Sequence, residues 1–176
     1  AIRRADAILC VSERLRERTV RWQPVAAGKI VVIPCCYDPR VAGRDEATIE
    51  RLRGELALDP ARDFVLTYAG SLSVWNRPEA IREVFHAFRQ IHARTRLLLL
   101  TGDLEAAQAS FGDEAAIIIR SIPHEEIQHH LALADLGLLL RDRSSVNRVA
   151  SPVKFAEYLA CGVPVLVTPG VGDCPE

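Results

Sequence analysis

The chain has 176 residues, 49% hydrophobic and 26% charged, with a formal net charge of −1. This is enough apolar material for one globular domain and a fragment, and the near-neutral charge makes no case for nucleic-acid binding. No run of 18 apolar residues occurs, which argues against a spanning helix, and five cysteines, two of them adjacent, form neither a disulfide framework nor a zinc spacing. That cysteine usage suits a reducing compartment, so the expected location is cytoplasmic. The charge is uneven: residues 1–40 carry +4 and the remainder −5. The basic start reads as a solvated, arginine-rich helix face, and the alternative is a face for anionic lipid or phosphate.

In chain order, "AILCV" (7–11) reads as a buried strand, with Cys10 a small hydrophobe. Ser12 caps a helix through residue 22, with Val11, Leu15, Thr19 and Trp22 at helical spacing. "KIVVIP" (29–34) is a second strand, residues 35–46 a turn-rich loop, and 47–58 a helix with Ile49, Leu52 and Leu56 on one side. The rhythm then becomes regular. Strands at 64–70, 96–102, 115–122, 136–141 and 164–168 alternate with helices at 78–93, 104–112, 124–134 and 151–161. The long helix turns Ile81, Val84, Phe85, Phe88 and Ile91 inward, and the next but one turns Ile127, Leu131 and Ala134 inward.

Strands apolar on both faces predict a parallel sheet covered by helices on both sides, an α/β doubly wound domain. Ligands in such sheets sit beyond the carboxyl ends of the strands, near the switch in strand order. Residues 1–34 are too few for a core. They read as the end of a preceding lobe, which predicts a chain cut from a longer protein, with apolar surface left exposed or covered by self-association.

One detail of "SPVKFAEYLACGVPVLV" (151–167) has no local explanation. Ser151 and Pro152 suit the N-cap and first position of a helix, and Gly162 with Pro164 ends it. Yet Lys154 sits in the first turn, where a cation is disfavoured by roughly 0.3–1 kcal/mol relative to an anion. A Lys154–Glu157 surface pair at i, i+3 would be worth only about 0.2–0.5 kcal/mol.

This stretch resembles the C-terminal, donor-nucleotide lobe of retaining glycosyltransferases of the two-lobed GT-B architecture, family 4 in particular. "ADAILCVSERLRE", "KIVVIPCCYDPRV", "VLTYAGSLSVWNRPEAIREVFHAF" and "IIIRSIPHEEIQHHLALADLGLLL" agree with that family in order. The resemblance implies that residues 1–40 end an acceptor lobe and that 41–176 form the Rossmann-like nucleotide-sugar lobe. It implies that Lys154 faces a diphosphate already attracted by the helix start, and that Glu157 accepts hydrogen bonds from ribose hydroxyls. It assigns phosphate approach to Gly70 and Ser71, a second cation to Arg77, backbone contacts with the base to Ile122, and the helix start to Ser151. Trp75 would cover a sugar or anchor its loop.

The departure from the family lies at Val149, eight positions before Glu157, where many members carry a second glutamate. The loop "RDRSSVNRVASPVK" leaves Arg143, Ser145 and Asn147 as candidates near the donor sugar. The five histidines read as surface residues.

The expected function is therefore the donor half of a glycosyltransferase that takes a nucleoside-diphosphate sugar, with no metal and no other cofactor. Its acceptor is unknown, and peripheral membrane contact belongs to the parent. A nucleotide-sugar epimerase and a non-catalytic assembly module are the alternatives. A dinucleotide oxidoreductase fits less well, because "YAGSLSVWN" holds one glycine rather than G-x-G-x-x-G.

Overall fold

The computed structural model describes residues 2–37, 45–73 and 76–174. Trp75 and the 40/41 lobe boundary lie outside the described residues.

A two-stranded parallel sheet comes first, β1 (Ile8–Cys10) beside β2 (Ile30–Val32), with α1 (Glu13–Trp22) between them. Ser12 caps α1 by accepting from the Leu15 amide at 3.0 Å. The apolar side of α1 is covered in part, with Val11, Leu15 and Thr19 half-buried. The helix has no buried residue, and Trp22 is 73% exposed. Helical spacing creates an apolar face that packs on the small sheet and the 24–29 turn, and Trp22 at the end of the helix lies beyond that cover. On the same sheet, register partners Leu9 and Val31 are both exposed.

The main body is α2 (Glu46–Glu55), β3 (Phe64–Ala69), α3 (Pro78–Ile91), β4 (Thr95–Leu100), α4 (Leu104–Phe111), β5 (Ile117–Arg120), α5 (Ile127–Leu131), β6 (Leu136–Leu139), α6 (Val153–Ala160) and β7 (Val165–Val167). The five strands form one parallel sheet in the order β5-β4-β3-β6-β7. Alternate residues of each strand enter opposite cores. Leu66, Tyr68, Leu97 and Leu99 pack with Ile81, Phe85 and Phe111 of α3 and α4. Val65, Ala69, Leu98 and Leu100 pack with Ile49, Leu52, Leu131 and Tyr158 of α2, α5 and α6. The doubly wound α/β expectation holds.

Three local expectations need correction. Ile91 is 86% exposed, because it ends α3 beyond Phe88, the last residue of that helix packed on the sheet. The helix over 47–58 stops at Glu55, and Ala57 takes a positive φ of 50°. His130 is buried rather than on the surface, its Nδ1 3.0 Å from the Glu126 carbonyl of the preceding turn.

The chain runs outward from β3 through β4 to β5, then returns to the other side of β3 as β6. The switch therefore lies between β3 and β6. These strands pair only through Leu66–Leu136 and Thr67–Gly137. Beyond that point the buried Tyr158 hydroxyl serves β3 instead, donating to the Thr67 carbonyl at 3.0 Å and accepting from the Ala69 amide at 3.1 Å. A Cβ on Gly137 would lie 2.6 Å from the Tyr158 ring, so only glycine leaves room for it. The phenol satisfies the backbone groups that a diverging strand would leave unpaired.

Candidate functional site

At the carboxyl end of that switch, β3 runs into Gly70 and β6 into Arg141, while α6 brings up Lys154 and Glu157. Gly70 has φ +136°, and a Cβ there would lie 2.4 Å from Lys154 Nζ. The ammonium also stands 4.8 Å from the centroid of the Tyr68 ring, a cation–π contact. The Tyr68 hydroxyl donates to the Ser71 carbonyl at 2.5 Å, and Asn76 donates to the same carbonyl at 3.0 Å. The Leu72 amide donates to Asp103 at 2.8 Å, tying this loop to the turn after β4.

Lys154 and Glu157 do not form an ion pair with each other among the described residues. Glu157 is 8% exposed, and His124 Nε2 stands 4.0 Å from its carboxylate. Burial, and then the Arg141 charge, lower the Lys154 pKa to about 8, with Glu157 opposing them. Burial raises the Tyr68 phenol well above its ordinary value, and Arg141 works against that shift. The Arg141 guanidinium donates to Asn147 Oδ1 at 3.2 Å, while its buried Nε–H has no acceptor among the described residues. Asn147 in turn donates to the carbonyl and carboxylate of Asp142. Lys154 and Arg141 thus lie near enough to repel each other, with Glu157 the opposing carboxylate, an arrangement that an anion beside them would relieve.

Not every expected residue joins this centre. Arg77 is exposed at the start of α3, in a left-handed conformation (φ 47°), and no hydrogen bond or ion pair links it to Lys154 or Glu157 among the described residues. Ser151 is not the N-cap of α6. Pro152 holds that position without a side-chain cap bond, and the Ser151 hydroxyl accepts from the Cys35 amide at 3.0 Å instead. The proline ring sets the helix entry, which releases the serine to anchor the crossover segment. Ile122 is half-buried against the α2–α5–α6 core, with its backbone at the carboxyl edge after β5. Asn147 is buried and organises its loop, whereas Arg143 is exposed.

Arg141 and Tyr68 escaped the sequence reading. Their only local signal is a polar group at the end of an apolar strand ("LGLLLR", "FVLTYAG"), and adjacency of the two strand ends cannot be read from one sequence.

No family model matches the chain, and no curated protein does. Solved structures do match in fold. Alr3699/HepE of Anabaena in complex with UDP and glucose superposes with a TM-score of 0.73 at 20% identity, over 98% of this chain and 47% of that one. A glycosyltransferase from Rickettsia africae gives 0.73 at 12% identity, over 96% and 45%. WaaG, a glycosyltransferase involved in lipopolysaccharide biosynthesis, gives 0.69 at 15% identity, over 93% and 44%. The class defined here is a Rossmann-like α/β lobe of the GT-B kind, and the chain spans about half the length of these neighbours.

Proposed function

We propose that this chain carries the donor-nucleotide half of a glycosyltransferase site, and that the whole enzyme transfers a sugar from a nucleoside-diphosphate sugar with retention, as family 4 does. The observation that carries this reading is the meeting of Lys154 and Arg141 at the β3/β6 switch, beside a glycine that leaves space for the ammonium. The diphosphate lies between the two cations and the first-turn N–H groups of α6. Ribose hydroxyls donate to Glu157, and backbone groups near Ile122 hold the base. The Gly70–Ser71 loop lies against the phosphates.

In the reaction, Lys154 and Arg141 stabilise the negative charge that grows on the departing diphosphate, so the chemistry requires no metal. Arg77, exposed at the start of α3, is the second cation that the family resemblance assigns to the diphosphate. That HepE was solved with UDP and with UDP-glucose supports a uridine nucleotide as the first ligand to try. An acceptor lobe would pack over Leu9 and Val31 and supply the other half of the cleft. The isolated chain therefore binds nucleotide weakly and transfers little or nothing.

A thermal-shift panel of UDP, GDP, ADP and NAD tests the reading. Stabilisation by one diphosphate, lost in both Lys154→Ala and Glu157→Ala, supports it. Stabilisation by NAD alone, or indifference of the chain to all four at millimolar concentration, overturns it. Sugar transfer by the isolated chain would contradict the half-site statement.

A further inference from the structure

The basic start of the chain occupies a defined place in the fold. Arg14, Arg18 and Arg21 recur at i, i+4 and i+7 on α1, so one stripe carries three positive charges over roughly 10 Å. This stripe walls a cleft of about 430 Å³. The opposite wall is the turn holding Ser145 and Arg148, and Glu17 is the only carboxylate among the described lining residues. The walls are fastened together. Ser12 Oγ donates to the Val149 carbonyl at 2.7 Å, and the Glu13 amide donates to Asp173 at 2.9 Å. Arg18 donates to the Ser145 carbonyl at 3.0 Å. Among the described residues, Arg18, Arg21 and Arg148 form no ion pair, and Arg18 and Arg21 stand three apart on one side of the helix.

We propose that this cleft binds a phosphate-bearing small molecule. Guanidinium groups fork onto phosphate oxygens, and the cations are spread too widely for a single monovalent anion. The volume falls in the range of small-molecule sites and exceeds what a bare ion needs. Val149 also lines the cleft and belongs to the loop that leads to Ser151 and Lys154. If the transferase reading holds, the occupant is the acceptor, presented by its phosphate to the donor loop. That role rests on the reading above, whereas the anion site itself does not.

The test is calorimetry with inorganic pyrophosphate at low ionic strength, on the full chain carrying Lys154→Ala, which removes the donor-site cation. Pyrophosphate should still bind. Adding Arg18→Ala and Arg148→Ala should weaken it by about tenfold or more. Adding Arg51→Ala and Arg62→Ala, two exposed arginines of equal total charge elsewhere, should leave it unchanged. No binding, binding indifferent to the cleft pair, or equal loss in both pairs overturns the proposal. Arg21→Gln with Arg148→Gln serves if the first pair fails to fold by circular dichroism.

Co-sedimentation with vesicles of 7:3 phosphatidylcholine and phosphatidylglycerol separates the sources of phosphate. Capture that pyrophosphate displaces and the cleft pair abolishes assigns the phosphate to a lipid headgroup. Pyrophosphate binding without capture assigns it to a soluble ester. On an otherwise wild-type chain the cleft pair should keep nucleotide stabilisation, so failure here and failure of the donor reading are distinguishable.

Discussion

The Lys154 ammonium occupies the space that a Cβ on Gly70 would claim, for the two would lie 2.4 Å apart. The two residues are 84 positions apart, and each makes sense through the other. Glycine adopts φ +136° without strain and leaves room for the charge. Gly70→Ala should therefore destabilise the fold by about 1–3 kcal/mol through backbone strain. It should also abolish diphosphate stabilisation by displacing the ammonium. Urea unfolding and thermal shift with UDP read the two effects, and a Gly70→Ala variant with full ligand response would remove Gly70 from the site.

Lys154 makes the site sensitive to pH. With its pKa lowered to about 8 from the ordinary 10.5, the empty fold holds this proton less tightly than the unfolded chain does. Its contribution to stability therefore rises with pH across that window. A bound diphosphate favours the ammonium and draws the pKa back up. Diphosphate affinity should be level below about pH 8, given ionised phosphate, and fall as pH rises through it. Binding near pH 8.5 should take up protons, seen as a calorimetric heat that depends on the buffer's ionisation enthalpy. Lys154→Met should show neither effect.

Arg141 is the second cation, held by Asn147 and with a buried N–H unmet among the described residues. Arg141→Gln should weaken UDP binding by about tenfold or more, the scale of one hydrogen bond to a charged group. Because its charge helps to depress Lys154, the variant should raise that lysine's pKa, measurable by NMR titration of the side chain. An unmoved titration would place Arg141 outside the site.

Tyr158→Phe tests how the crevice is kept open. The variant leaves the Thr67 carbonyl and Ala69 amide without their partner in a fully buried setting. The expected cost is about 1–3 kcal/mol in chemical denaturation. Hydrogen exchange at Ala69 should quicken, and a wild-type rate there would mean that β6 itself closes onto β3.

Periodicity carried the fold a long way. Apolar strands such as "FVLTYA" and "RLLLLT", separated by helices with one apolar stripe, specify a covered parallel sheet, since each element states locally which of its faces avoids water. Lys154 stood out for a related reason, as a cation in the first turn of a helix is a local contradiction visible in the sequence alone. Other features are not local. Trp22 shares the spacing of half-buried Leu15 and Thr19 but is exposed, and His130 looks like a surface residue but is enclosed. Pro152 displaces Ser151 as the cap because the serine meets Cys35, 116 positions away. Arg141 and Tyr68 become site residues only once β6 returns beside β3.

The residues themselves thus determined which segments become strands and helices, and they set a cation in the first turn of α6. The tertiary structure decided the strand order, and with it which loop ends converge and which like charges must share a crevice. Hydrophobic pattern is a property of one segment and its solvent. Convergence depends on contacts between segments dozens of residues apart, about which local spacing carries no information.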